Sequence, residues 1–389
     1  MSEPGRNIKD VRKRRGLTQG ELASASGVSL SLIRKLEQGD RQSARLETLR
    51  KLAVALRVPT MRLSQRGNEE GPIVGTEERW HAVRNVVERP PVEPETDDDR
   101  PTVAGVRDSL ERVIPLYADH KFADLSEMLP PLLRDAEALG EEGRAVRVRV
   151  LQLAGGALVH TRQFDSAELA LQRALDEVAD RMEGAASINT RCWLLLRQGR
   201  LDEALDLAVR WADEIEPRMS RATPAELSTW GLLLLRVSAS AVRNSQKGQA
   251  DQALRLAKGV AATLGREYAP ENELLRMFGP TTVRLKAAEH ASVTDRPDLV
   301  IRLSERVPRS AIKASKSSVS RHALDVAYAH AKMRHYTEAM ERLTALHKAS
   351  PEWLPNQSYA RTVLKRVVDG RRTLTPEMRD MANAIHLEL

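Results

Sequence analysis

The sequence predicts an all-α chain with a five-helix N-terminal domain followed by a long array of antiparallel helix pairs. Residues 1–66 hold short segments of helical apolar periodicity, bounded by capping residues and glycines. Residues 105–389 show the same periodicity almost throughout and repeat internally. The segment between them, 67–104, is acidic and rich in proline, which predicts a linker.

Capping signals place the helices of the first domain. Thr18 and Ser29 carry the short side-chain oxygens that accept hydrogen bonds at helix N-termini, and Glu21 completes a capping box after Thr18. Gly27 permits a sharp turn between the second and third helices. Together these signals predict five helices, at 7–15, 19–26, 30–38, 46–56 and 60–64.

The linker carries a formal net charge of −6, from 4 basic and 10 acidic residues. Its proline-rich stretch from Arg89 to Pro101 buries little apolar surface and extends by charge repulsion. Two functions stay open for the acidic run, a solubilising spacer and a phosphate mimic that masks a basic face. A short segment at 76–88, which contains Trp80, is predicted to be a helix packing on either flanking domain.

Six units repeat along residues 105–389. Each aligns on a small or apolar residue after a turn, and successive anchors lie 37 to 49 residues apart: Leu125, Ala167, Ala204, Ala253, Val300 and Ala339. In the clearest unit, 188–217, Gly199 turns the chain and Leu201 fills the gap between two antiparallel helices. A single pair cannot bury its apolar face, so stacking is expected to stabilise the array. A last pair, at 356–369 and 375–387, would cap it.

Charge and cysteine content narrow the class of protein. The formal net charge is +7, and residues 1–66 alone carry +9, as expected where a polyanion docks. Cys192 is the single cysteine of the chain, and no Cys/His spacing suits zinc, which favours a reducing cytoplasm. No secretory or membrane-spanning segment is recognisable. Catalytic motifs are absent too, so we expect a protein that is not an enzyme and needs no cofactor or metal.

Residues 17–39 form the strongest motif. Ala23 leaves room for two helices to cross, Gly27 makes the turn, and Leu22, Ile33 and Leu36 close a small core. With the apolar pattern of 46–56, this motif resembles the Xre/Cro-type phage-repressor family of helix-turn-helix proteins. The resemblance implies a sequence-specific DNA-binding transcription regulator.

The family's binding mode implies eight DNA contacts. Base edges in the major groove would meet four residues, Ser29, Leu30, Ser31 and Lys35. Gln19 would bond a phosphate or brace the first recognition residue, and Arg34 would reach phosphate or base. The DNA backbone or minor groove would meet Arg41 and Arg45. Leu30 and Ser31 replace glutamines of the best-known repressors, so their operator sequence does not transfer.

The repeats are longer than the 34-residue tetratricopeptide unit, but each has the same antiparallel pair of helices. With the N-terminal motif, they resemble the peptide-sensing quorum regulators, which bind a short peptide on a concave repeat face. That register points five pairs of residues into the groove: Gln152 and Gly156, Asn189 and Trp193, Ser238 and Val242, Leu285 and Glu289, Leu324 and Tyr328. The candidate ligand contacts are Gln152, Asn189, Trp193, Ser238, Glu289 and Tyr328.

Asn189 and Trp193 have two possible roles. An asparagine can donate to and accept from a peptide main chain while a tryptophan offers a flat apolar surface, or the pair is ordinary core and surface. We expect a homodimer, held by the repeats, on a palindromic operator in double-stranded DNA. Three mechanisms remain open: control by a small ligand or short peptide, binding of a partner protein by the repeats, and a scaffold whose N-terminal domain oligomerises.

Overall fold

A computed structural model describes residues 3–41, 44, 46–56, 58, 63, 76–89, 100–270, 277–307 and 314–388. Their regular secondary structure is helical. The described residues add one isolated antiparallel bridge, between Tyr268 and Phe278. The predicted all-α fold class is confirmed, with a small N-terminal helical domain and a repetitive helical body.

The N-terminal domain has its own core. Its described helices are α1 (Glu3–Arg14), α2 (Gln19–Ser26), α3 (Leu30–Gln38) and α4 (Leu46–Leu56). These match the first four predicted helices, except that α1 begins earlier. Ile8, Leu22, Ile33, Leu36 and Leu52 are fully buried between them. The predicted fifth helix lies outside the described residues except for Leu63.

Helix α5 (Thr76–Glu88) packs on the repeat body. Trp80 and Val83 are buried in the core that the body's first helices form. Arg84 Nη1 donates to Gln163 Oε1 at 3.0 Å. The packing partner that the sequence left open is thus the body, and the acidic run at 90–99 lies outside the described residues.

Six antiparallel helix pairs follow in chain order. They are α6 (Val103–Ala118) with α7 (Phe122–Glu137), α8 (Arg144–His160) with α9 (Phe164–Asp176), α10 (Arg181–Gln198) with α11 (Leu201–Glu214), α12 (Pro224–Arg243) with α13 (Lys247–Leu264), α14 (Pro280–Val293) with α15 (Pro297–Glu305), and α16 (Lys316–Lys332) with α17 (Tyr336–Ala349). Helices α18 (Ser358–Gly370) and α19 (Pro376–Ala384) follow, near the predicted terminal pair. The six anchors of the sequence repeat are all buried, at 0–4% exposure, because each faces its partner helix.

The same turn joins the two helices of every pair. One residue takes the left-handed conformation two positions before the second helix, with φ between 58° and 74°: His120, Arg162, Gly199, Ser245, Asp295 and Arg334. The next N–H then bonds back across the first helix end, as from Gln163 N to Leu158 O at 2.9 Å. This bond satisfies a carbonyl that a helix C-terminus otherwise leaves open. The recurrence of one turn geometry identifies the pairs as structural repeats.

The two ends of the array meet. Ala123 N donates to Glu352 Oε2 at 2.7 Å. The His120 ring stacks on Trp353 with centroids 5.5 Å apart. Helices α6–α9 and α16–α19 share one apolar core. The body therefore surrounds a space between its first and last pairs.

The described residues contain neither a membrane-spanning helix nor a cluster of metal ligands. No helix among them combines the length and the apolarity needed to cross a bilayer. No group of three or more potential metal ligands lies together in the described part of the chain. Cys192 is buried in the core of α10 to α14, where it packs against apolar neighbours.

Candidate functional site

The turn between α2 and α3 is built as its sequence predicts. Thr18 Oγ1 accepts from Glu21 N at 3.2 Å, and Thr18 N donates to Glu21 Oε2 at 2.6 Å. Gly27 has a φ of 64°, which a side chain would strain. Ser29 caps α3 by accepting from Leu32 N at 3.4 Å. These local bonds fix the angle at which α3 leaves the turn.

Helix α3 turns one face to the core and the other to solvent. Ile33 and Leu36 are fully buried. Ser31, Arg34 and Lys35 are exposed on the opposite face. This exposed face can meet an extended anionic partner without any change in the core.

A buried polar cluster holds α3 against α1. Arg12 donates from Nε to Glu37 Oε1 at 2.7 Å and from Nη2 to Oε2 at 2.8 Å. Gln19 Nε2 donates to the same Oε2 at 2.8 Å. Burial alone raises the pKa of Glu37, but the hydrogen bonds from Arg12 and Gln19 outweigh it and leave that pKa below its usual value. Glu37 is therefore a carboxylate that ties three helices together.

Seven of the eight predicted DNA contacts lie in the described part of the chain. Ser29, Ser31, Arg34, Lys35 and Arg41 are exposed, while Leu30 is half-buried. Gln19 is half-buried too, and it braces Glu37 near the end of α3. Arg45 lies outside the described residues.

The repeat body contains a partly open cavity of about 400 Å³. It lies toward the C-terminal ends of α8, α10, α12 and α14, with α16 and the start of α18 on the facing side. Arg50, on α4 of the N-terminal domain, also lines it. The aromatic members of the wall are Tyr117, Phe164, Trp193, Tyr328, Trp353 and Tyr359. The chain has only 13 Phe, Trp and Tyr residues, so the cavity gathers nearly half of them.

The wall is strongly basic. Its cations are Arg50, Arg162, Arg197, Arg236, Arg243, Lys286 and Arg321. Among the described residues that line the cavity, Glu289 is the single carboxylate. It accepts from Arg243 Nη2 and, at 2.7 Å, from Lys286 Nζ. Burial raises the pKa of Glu289, but these cations and Arg321 together hold it well below its usual value.

The six predicted ligand contacts fall into two groups. Trp193, Glu289 and Tyr328 line the cavity. The cavity wall does not include three of them, which are buried between helices: Gln152, Asn189 and Ser238.

The buried side-chain amides of Gln152 and Asn189 each form a hydrogen bond to another side chain. Gln152 Nε2 donates to Ser187 Oγ at 3.0 Å. Asn189 Oδ1 accepts from Arg236 Nε at 2.6 Å, so Asn189 orients a cation of the cavity wall. Tyr117 occupies the space beside Gly156, since a Cβ there would lie 2.7 Å from the tyrosine hydroxyl oxygen.

Comparison with known proteins assigns the N-terminal domain. The family model described as helix-turn-helix matches residues 8–63. Residues 8–63 form a helix-turn-helix domain. The chain is 41% identical over 59 residues to the uncharacterized HTH-type transcriptional regulator RghRB of Bacillus subtilis. It is 39% identical over 59 residues to the HTH-type transcriptional repressor RghR of the same organism.

The matches to these regulators are partial. They cover 15% of this chain, and 42% of RghRB and 44% of RghR. Among solved structures, the chain is similar to Bacillus thuringiensis PlcR in complex with the peptide PapR7 and DNA. That similarity covers 87% of this chain and 99% of PlcR, at 13% identity and a TM-score of 0.37. The helix-turn-helix domain is thus assigned by sequence, whereas the repeat body must be interpreted from its own residues.

Sequence reasoning missed most of the basic wall. Arg162 lies in a hairpin turn, and Arg197 and Arg243 lie in the last turns of their helices. Arg50 belongs to the helix-turn-helix domain and reaches the cavity only through the arrangement of the two parts. The one available signal was Trp193, whose neighbour one turn later is Arg197.

Proposed function

We propose that this protein is a transcription regulator that binds operator DNA through its helix-turn-helix domain and is controlled by a small ligand or short peptide in the repeat-body cavity. The exposed polar face of α3, held by the buried Arg12 and Glu37 pair, is the observation that carries the DNA-binding part. The cavity, with its aromatic and basic wall, supports the regulatory part.

The chemistry of α3 fits base recognition. Lys35 can bond guanine acceptors in the major groove, and Ser31 can bond several base edges. Arg34 and Arg41 are exposed and suit phosphates. Positive charge near the DNA also releases condensed counterions, so binding must weaken as salt rises.

A binding-site selection tests the DNA-binding part. Full-length protein is used to select from a library of random 30-base-pair duplexes, and the enriched duplex is then the gel-shift probe. Lys35→Ala should weaken binding and reduce the salt slope by about one. Lys258→Ala, the same change on an exposed lysine of α13, is the control and should leave both unchanged. Failure to enrich any sequence would overturn the proposal.

The regulator is proposed to act as a homodimer. A single small domain makes too few contacts for specific binding at physiological salt, and related domains engage two half-sites about 10 base pairs apart. The selected sequence should therefore be a palindrome. Light scattering on the complex should give two chains per duplex, and one chain per duplex would contradict the dimer.

Ligand control has its own test. Protein purified from its native host is measured by native mass spectrometry, where a bound molecule adds mass that denaturation removes. Ala239→Trp fills the cavity beside Val242 and should abolish the added mass. An unmodified mass in the wild-type protein would favour a repeat body that binds a partner protein.

A further inference from the structure

We infer that the cavity takes a ligand with an aromatic ring, and that this ring lies at one end of the cavity, where α8 meets α9 and α10. The wall at this aromatic end consists of Tyr117, Phe164, Trp193, Leu196 and Trp353. The inference rests on the ligand control proposed above and names the chemical class of the ligand. The exposure of these side chains, the way they are held and the position of the polar groups each support it.

Three apolar side chains of the aromatic end are incompletely covered by the protein. Phe164, Trp193 and Leu196 all line the cavity, and each is only half-buried. Trp193 and Leu196 lie one helical turn apart on α10, so they form one continuous apolar face. Contact between apolar surface and water is unfavourable in proportion to the area exposed. A ligand group that covers this face would be stabilised by the hydrophobic effect.

Further rings surround this face. The Trp193 ring meets the His160 ring edge-on with centroids 4.6 Å apart, and Tyr117 lies 5.5 Å from the same histidine. The His120 ring, 5.6 Å from His160, stacks on Trp353. Aromatic rings attract one another in edge-on and offset arrangements at such distances. The cluster can therefore bind an aromatic group better than a saturated group of the same size.

Arg197 holds two of the rings in place. Its guanidinium lies over Phe164 and Trp193, 5.8 and 5.9 Å from their centroids. The same group donates from Nη2 to Asn356 O at 2.8 Å, just before α18. Arg162 also lies over Phe164, at 5.9 Å. Both cations thus have partners within the protein, and we assign them to the support of the rings. Rings that are fixed in advance lose little side-chain entropy when a ligand binds.

The α12 and α14 side of the cavity suits a ring less well. Glu289 accepts there from Arg243 and Lys286, so these charges are already bonded within the protein. An aromatic ring lying on this network would remove water from it without replacing any hydrogen bond, which is costly. The aromatic end has no such cost, and the volume of about 400 Å³ leaves room for further groups of the ligand.

A neutral aromatic dye tests the site directly. N-phenyl-1-naphthylamine carries no charge at neutral pH and fluoresces strongly in apolar sites. On full-length protein it should bind once per chain, and 1-naphthol should displace it. Decahydro-1-naphthol has the same carbon skeleton without the aromatic rings, and should displace the dye about two- to tenfold more weakly because ring contacts are lost. Absence of saturable dye binding, or equal displacement by the two alcohols, would overturn the aromatic ligand.

Variants then locate the dye. Trp193→Leu and Phe164→Leu should each weaken it severalfold, because leucine stays apolar but lacks the ring. Trp211→Leu is the matched control: Trp211 is also half-buried, but it lies on α11 and is not part of the cavity wall, so dye binding should not change. Circular dichroism measures the helical content of each variant, and Phe164→Leu keeps the test decisive if Trp193→Leu does not fold. Dye binding that survives both ring variants and Ala239→Trp unchanged would refute the site.

Competition separates two sources of the ring. Indole represents a small aromatic molecule, and acetyl-Gly-Trp-Gly-amide presents the same ring within a peptide. Displacement of the dye by indole at least as tight as by the peptide assigns a small molecule, whereas tighter displacement by the peptide assigns an aromatic residue. Acetyl-Gly-Leu-Gly-amide, which has no ring, should displace the dye more weakly than the Trp peptide. Displacement by neither indole nor the Trp peptide would overturn the inference.

This inference and the ligand control on which it rests can fail separately. A native ligand that adds mass to the protein but neither contains an aromatic ring nor displaces the dye would leave ligand control standing and refute the aromatic ligand. An unmodified native mass, together with a dye site that Trp193→Leu weakens, would support the aromatic site and count against ligand control.

Discussion

Glu37→Gln should strongly destabilise the helix-turn-helix domain, although the substitution barely changes the size of the side chain. The change keeps the shape of the side chain but removes the charge that faces Arg12. Arg12 and Glu37 are 8% and 3% exposed, so water cannot replace the lost carboxylate. Arg12 would remain a buried cation whose remaining contacts are neutral, including the Leu17 carbonyl at 2.7 Å.

The contacts set the size of the effect. Glu37 accepts three hydrogen bonds of 2.7 to 2.8 Å, two from Arg12 and one from Gln19. Breaking a buried ion pair from one side costs about 3–5 kcal/mol. A domain matched over residues 8–63 has a total stability of about 3–8 kcal/mol at typical values per residue. Glu37→Gln should therefore remove most of the domain's free energy of unfolding.

Hydrogen exchange with mass spectrometry measures this effect within the full chain. Peptides from α1 to α4 should lose protection in Glu37→Gln, while those from α8 to α18 keep theirs. Glu203→Gln is the matched control, because its pair with Arg200 is 36% and 59% exposed and should contribute under about 1 kcal/mol.

A double variant separates charge from packing. Arg12→Met with Glu37→Leu should be more stable than Glu37→Gln alone, since an apolar pair leaves no buried charge. The argument fails if Glu37→Gln keeps its α1–α4 protection to within about 1 kcal/mol. It also fails if the double variant is no more stable than the single one.

Three further predictions concern the body. Gly231→Ala should cost about 1–3 kcal/mol in denaturant unfolding because its Cβ would overlap the buried Phe278 ring, whereas Gly259→Ala, with open space, should stabilise by about 0.5–1 kcal/mol; equal effects would contradict the packing. Burial, with Lys316 nearby, lowers the pKa of His120 to about 3, so the unfolded chain binds a proton near pH 6.5 that the folded chain refuses. Stability should thus fall from about pH 6.5 toward 3, by up to roughly 1.4 kcal/mol per unit, and thermal melts of His120→Gln should show a flatter slope. Thr223→Ala, which removes the α12 cap, should cost about 1 kcal/mol in thermal melts, and an unchanged melting temperature would refute the cap's role.

Local signals made the helices predictable. Thr18, Ser29 and Gly27 act on neighbours within a turn, so the bounds of α2 and α3 could be predicted from sequence. The repeat anchors were equally visible, because each small residue packs on its own partner helix. The left-handed turns were visible only at Gly199, since His120, Arg162 and three others adopt that conformation without being glycine. Their conformation is imposed by the packing of each pair and not by local preference.

The sequence predicted two cavity-facing positions in each unit, but at most one of the two lines the cavity in the structure. In four units the cavity is lined by the later of the two predicted positions, as with Trp193 and Tyr328, whereas Asn189 and Gln152 at the earlier positions pack between helices. The tetratricopeptide register treats both positions alike. Gln152 on α8 bonds Ser187 on α10, and Asn189 on α10 bonds Arg236 on α12, so at these earlier positions the next helix pair covers the side chain.

By itself the sequence determined the helices, the helix-turn-helix domain and the concentration of positive charge in residues 1–66. Each of these depends on residues close together in the chain. Only the tertiary structure decided that His120 stacks on Trp353 and that Arg50 joins the wall of the cavity. Such contacts depend on small rotations added over six helix pairs, and no single repeat encodes their sum.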